Sequence, residues 1–179
     1  MNISLKSMIL AAEFAAIIAI FSQFTIPLGI IPLTGQTLAV GFTATILGRR
    51  VGTQAILIYL LLGFIGLPVF AGMKAGIGVL FGPTGGYLIG FIFTSLIVGT
   101  ILEKTDFTYF WAIVANIVGA IISLIFGSIW LKFFSDSTWL AAFTGGFFPF
   151  ILPGLIKAVA AAYIGITIHK RMKLSYSVT

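Results

Sequence analysis

The sequence predicts an all-α integral membrane protein that crosses the bilayer six times and opens a ligand cavity outward. Three observations carry that prediction. The 179 residues are 60% hydrophobic and only 8% charged, with a mean hydropathy of +1.20, whereas a water-soluble domain carries about 25% charged residues. The chain divides into apolar runs near the ~20 residues that one helical span needs, enough for about six spans and little else. The basic residues gather in the short segments between those runs.

The first run, residues 4–24, is longer than the apolar core of a signal peptide and lacks an A-x-A exit, so it reads as a retained first span. A proline-containing stretch, TIPLGIIPLTGQ, follows at 25–36. The second run, 37–48, is short and ends at Arg49-Arg50; the third is 53–70. A glycine-rich connection, AGMKAGIGVLFGPTGG, occupies 71–86. The last three runs are 87–102, 109–133 and 147–169. Six spans put both termini on one side, with Lys6, Arg49, Arg50, Lys104, Lys170, Arg171 and Lys173, and leave Lys74 and Lys132 on the other. The basic side is expected in the cytoplasm, and the same rule accounts for the net charge of +6 without a nucleic-acid partner. The two glycine- and proline-containing connections then face outward. Irregular backbone at that depth is tolerated only against protein or a hydrated cavity. The outer halves of spans two, four and six are therefore expected to surround one.

Polar residues are few enough to weigh singly. Lys157 lies near the middle of the sixth run, where a charge costs at least ~2.5 kcal/mol. It is either satisfied internally, by Glu13 or by carbonyls, or it waits for an anion. Pro153-Gly154 just before it predicts a broken helix, whose restarted N-terminus would face the same anion; a carboxylate fits both. Gln36, beginning the second run within PLTGQT beside Thr34, offers donor and acceptor to an amide- or urea-like group, or bonds local backbone. Tyr87 follows the glycine-rich turn and either lines the cavity or, like Trp139, sits in the interfacial belt. Asn116 is expected to tie two helices or bond Glu13; Glu13 either pairs there or faces a partner. Lys74 is a loop lysine or a cation at the cavity mouth. Small residues recur four apart: Ala11, Ala15 and Ala19 with Ala12 and Ala16 on the first span, Gly86, Gly90 and Thr94 on the fourth, and Ala115, Gly119, Ser123 and Gly127 on the fifth. Such stripes let helices approach closely. On the first span the stripe suits either internal packing or docking of another membrane protein.

Several chemistries are absent. The chain has no cysteine and one histidine, His169, at the basic end. Neither a P-loop nor a G-x-G-x-x-G turn occurs, and no paired carboxylates suggest acid–base catalysis. The reading is of a non-enzymatic binding protein that needs no cofactor and has no engine of its own.

IPLTGQTLAV (31–40), GLPVFAG (66–72), LFGPTGGYLIGF (80–91) and PGLIKA (153–158), in this order, resemble the BioY family, the biotin-specific S components of energy-coupling factor (ECF) transporters. The resemblance covers nearly the whole chain as a single domain. It implies an S-component-like bundle that captures biotin from outside and docks on a scaffold transmembrane protein with two cytoplasmic ATPases. It also implies that Lys157 receives the valerate carboxylate, that Gln36 belongs to the binding motif, that 25–35 acts as a lid, and that the Ala-x-x-x-Ala stripe docks the scaffold. Two departures stand out. Gly154 occupies the place where the family usually has an Asp three residues before the lysine, and Met73-Lys74 interrupt the usual glycine-rich loop. Both leave room for a biotin-like vitamin. The alternatives are a solitary vitamin facilitator without ATPases, and a membrane subunit that binds a partner but no solute.

Overall fold

A computed structural model describes residues 5–172; residue 4 of the expected first span and Lys173 of the basic cluster lie outside the described residues. α1 is Leu5–Ser22. Two short strands follow, β1 (Thr25–Ile26) and β2 (Leu33–Thr34), paired antiparallel with Thr25 opposite Thr34. α2 is Gln36–Phe64, followed by a 3₁₀ turn at Ala71–Met73 and one turn of helix, α3, at Ile77–Leu80. α4 is Gly85–Glu103, α5 Tyr109–Phe134, α6 Trp139–Gly146 and α7 Phe148–Met172.

α2 is two spans, not one. Gly48 sits at φ 71°, ψ −173°, a region essentially closed to residues with a Cβ. In a straight helix Gln36 and Tyr59 would lie about 35 Å apart, yet their side chains are hydrogen-bonded. The chain therefore reverses at Gly48 into antiparallel limbs, 36–47 and 49–64, which are the second and third spans of the sequence reading. With α1, α4, α5 and α7 they make six. The third span ends at Phe64 rather than at residue 70, and 65–70 is irregular.

Small residues set the closest approaches. On α4 and α5, Gly90 faces the backbone of Ser123, Gly119 faces Thr94, and Gly127 receives the Tyr87 ring; Thr94 Oγ1 donates to the Gly119 carbonyl at 2.8 Å. At the reversal, Gly99 of α4 lies against the backbone of Arg49. A Cβ at any of these places would meet an atom already there.

One end of the bundle collects the basic residues. Glu103 accepts from the Arg49 amide at 2.8 Å and pairs with its guanidinium at 3.8 Å. The His169 ring bonds the Ile46 carbonyl at 3.0 Å and stacks on Phe107, and Lys170 lies 4.8 Å from the Tyr109 ring centre. α1 ends at the opposite pole, where Ser22 bonds the Val69 carbonyl, so it starts at the basic one. The first and last helices thus begin and end together.

Two expectations are corrected. α7 runs unbroken from Phe148 through Pro153 and Gly154. Proline's fixed φ is already helical, and the one backbone bond it removes is tolerated inside a packed bundle, so no helix restarts before Lys157 to aim its N-terminus at an anion. The segment carrying Trp139, read as loop, is the short helix α6, capped by Thr138 Oγ1 on the Ala141 amide at 3.2 Å.

Candidate ligand-binding site

At the pole away from the basic cluster the helices splay around an open-mouthed cavity, about 820 Å³ of non-atom space with the solvent at its mouth included. The first limb of α2 contributes Gln36 and Thr37, α4 contributes Tyr87 and Phe91, and α7 contributes Gly154 and Lys157. These are the outer halves of spans two, four and six, as the sequence suggests. α5 adds a fourth wall through Ala120, Ser123 and Leu124. Strand β2, with Ile31 and Pro32 before it, closes one side, and the 70–74 loop borders the mouth.

Lys157 projects from α7 and its Nζ donates to the Thr34 carbonyl at 3.0 Å. The alternative ion pair with Glu13 does not form: Glu13 is exposed on α1. The Thr34 hydroxyl donates to Gln36 Oε1 at 2.9 Å, and Gln36 Nε2 donates to the Tyr59 hydroxyl. Gln36 is buried as the first residue of α2, and Thr34 turns back on its amide at 3.3 Å, a local side-chain bond typical of helix starts. Among the described residues the cavity lining holds two cations, Lys157 and the exposed Lys74, and no acid. A lysine held by one neutral carbonyl keeps donors for an incoming anion.

All five residues expected to bind substrate, Thr34, Gln36, Tyr87, Gly154 and Lys157, border this cavity. Their geometry refines two of them. The Tyr87 hydroxyl is spent on the Gly146 carbonyl at 2.6 Å, so Tyr87 offers its ring as wall rather than its hydroxyl as a polar contact. A Cβ built on Gly154 meets nothing within 4 Å; the residue one turn before Lys157 leaves open space. Thr37 and Ser123 were not singled out as ligand contacts. Their buried hydroxyls have no partner, and they also line a small recess adjoining the cavity, with Thr94 and Asn116. Nothing in the sequence distinguishes them from the small polar residues of helix packing. Asn116 itself donates to Thr45 Oγ1 and to the Ala112 carbonyl, tying α5 to α2 and not to Glu13.

The alanine stripe of α1 splits. Ala11 and Ala15 are 1% and 0% exposed within the chain's own core; Ala19 is partly covered. Ala12, Glu13 and Ala16 face outward.

The BioY family model matches residues 1–174. The chain belongs to the BioY family. This BioY chain is 46% identical over 171 residues to biotin transporter BioY2 of Lactococcus lactis subsp. cremoris, covering 96% of this chain and 94% of that one. It is 39% identical to the biotin transporter BioY of Thermotoga maritima, covering 93% and 97%. Its fold is similar to a crystal structure of the S-component for biotin from an ECF-type ABC transporter, with a TM-score of 0.84, 28% identity, and coverage of 97% and 96%.

Proposed function

We propose that the chain is the substrate-capture subunit of an ECF-type importer, binding biotin, or a biotin-like vitamin, from outside. The observation that carries this reading is the cavity cation. Lys157 stands in a mostly apolar chamber whose lining, among the described residues, contains no acid, in a chain alike over almost its full length to an S-component for biotin. Lys157 receives the valerate carboxylate. The aromatic and aliphatic walls, among them Tyr87 and Phe91, cover the ring system and exclude water. Gln36 and the free hydroxyls of Thr37 and Ser123 supply polar contacts. Gly154 leaves room in which a close analogue of biotin also fits.

The basic pole faces the cytoplasm with both termini, following the charge rule, so β1, β2 and their connection cover an outward mouth. Release inward depends on a scaffold transmembrane protein and two cytoplasmic ATPases, docked over the exposed Ala12 and Ala16 of α1; the remaining apolar surface meets lipid. Native mass spectrometry of the purified chain, followed by titration with biotin, tests the assignment. Bound biotin, lost in Lys157→Ala, is the expected result. A different carboxylated vitamin would move the substrate but keep the site. No ligand from the cell, and none in excess biotin, would overturn the reading.

A further inference from the structure

We infer that Tyr59, which does not line the cavity, is a positioning residue for ligand capture, acting on Lys157 through its hydrogen bond to Gln36, the bond from Thr34 to Gln36, and the Thr34 backbone that meets the lysine. The inference rests on the reading that the cavity takes a carboxylated ligand at Lys157. Tyr59 is fully buried on the second limb of α2, with its ring edge-on to Phe70 at 5.6 Å between centres. Its hydroxyl accepts from Gln36 Nε2 and lies beside the Ser22 hydroxyl. Gln36 Oε1 accepts from Thr34 Oγ1 at 2.9 Å, and the Thr34 carbonyl accepts from Lys157 Nζ at 3.0 Å. On the other side, Ser22 Oγ reaches the Val69 carbonyl. Gln23 donates to Ser22 Oγ and to the Phe70 carbonyl, and its Oε1 accepts from the Met73 amide.

The Gln36 side-chain amide is held at both of its polar atoms: its nitrogen donates to the Tyr59 oxygen, and its oxygen accepts from the Thr34 hydroxyl. An amide nitrogen only donates and its oxygen only accepts, so the Tyr59 oxygen favours the orientation that leaves the Gln36 oxygen facing Thr34. Without the phenol oxygen nothing holds the Gln36 amide in that sense, and Thr34 loses the acceptor that orients it. The carbonyl under Lys157 then moves with the strand that carries it. Bonds in such a buried series depend on one another. The same contacts join β2 of the lid to the 69–73 loop at the mouth and to the end of α1, so a ligand that draws Lys157 away from Thr34 acts on both outer loops together.

The test is a double-mutant cycle on the full chain in detergent, with biotin as the probe and calorimetric Kd as the readout. Tyr59→Phe keeps the ring and removes the oxygen; it is expected to weaken biotin binding about tenfold. Thr34→Val interrupts the line between Gln36 and the lid strand. In that background Tyr59→Phe is expected to cost less than about twofold. A residue that only packs would cost the same in both. If Tyr59→Phe does not fold, Ser22→Ala, beside the Tyr59 hydroxyl, carries the same cycle with about a threefold loss expected and the same erasure. Unchanged affinity, or a loss undiminished in Thr34→Val, overturns the inference while leaving biotin as the ligand. A parent chain that binds no biotin overturns the ligand assignment and the inference with it.

Discussion

Lys157 and Gly154 share one face of α7, a turn apart, and they answer to different physics. The lysine brings charge: an ionised donor's hydrogen bond contributes roughly 1.5–3 kcal/mol. Lys157→Gln, which removes the charge and keeps a hydrogen-bond donor, is therefore expected to weaken biotin binding by about 30-fold. The neutral amide of biotin should bind parent and variant alike; calorimetry with both ligands separates charge from shape. Gly154 contributes space. Because a Cβ there meets nothing, Gly154→Ala should raise the melting temperature of the empty chain, as replacing a mid-helix glycine is worth up to about 1 kcal/mol, while weakening biotin binding by filling part of its volume. Lys157 was legible in the sequence because a charge inside an apolar run has to be accounted for. Tyr59 was not, since a tyrosine in such a run looks like any other packing residue until its hydroxyl is seen against Gln36. Thr37 and Ser123 escape for the same reason: small hydroxyls are common wherever helices touch.

At the scale of elements, apolar length located the spans well and their joints poorly. The reversal at Gly48 was visible as Gly48-Arg49-Arg50 between two runs, but its tightness depends on a backbone conformation no composition reports. That conformation makes a prediction. Gly48→Ala must hold a Cβ at φ 71°, ψ −173°, a strain of about 1–3 kcal/mol, and Gly99→Ala presses on the same turn from α4. Each is expected to lower the thermal midpoint in detergent, and the pair to lower it by less than the sum, because both relax the same contact. Pro153 was misread for an instructive reason: proline breaks helices where water competes for the freed carbonyl, and inside a bundle it does not. α6 and the β1–β2 pair are too short for any periodicity to show. Tertiary contacts hold them, α6 through the Tyr87 bond to Gly146 and β2 through Lys157.

For the whole molecule, the proposed capture site and the proposed docking face lie on different surfaces. The cavity opens at one pole, while Ala12 and Ala16 lie on the outer side of α1, whose buried side carries Ala11 and Ala15. Replacing Ala12 and Ala16 together by Trp should leave the biotin Kd of the purified chain unchanged and abolish energised uptake in cells supplied with the scaffold and ATPases. Loss of binding as well would mean that the α1 face and the cavity are not separate. The hairpin also has a bearing on the surrounding lipid. Its second limb, 49–64, rises only about 24 Å, and Leu57, Leu61 and Phe64 on it are exposed. Beyond Phe64 the backbone leaves the helix, and irregular backbone does not face acyl chains, so the oily layer must end near that residue. A typical hydrocarbon core is ~30 Å thick. Where the hydrocarbon layer is thicker than this limb, the bilayer beside the hairpin is expected to thin locally, at a cost of a fraction of a kcal/mol per ångström.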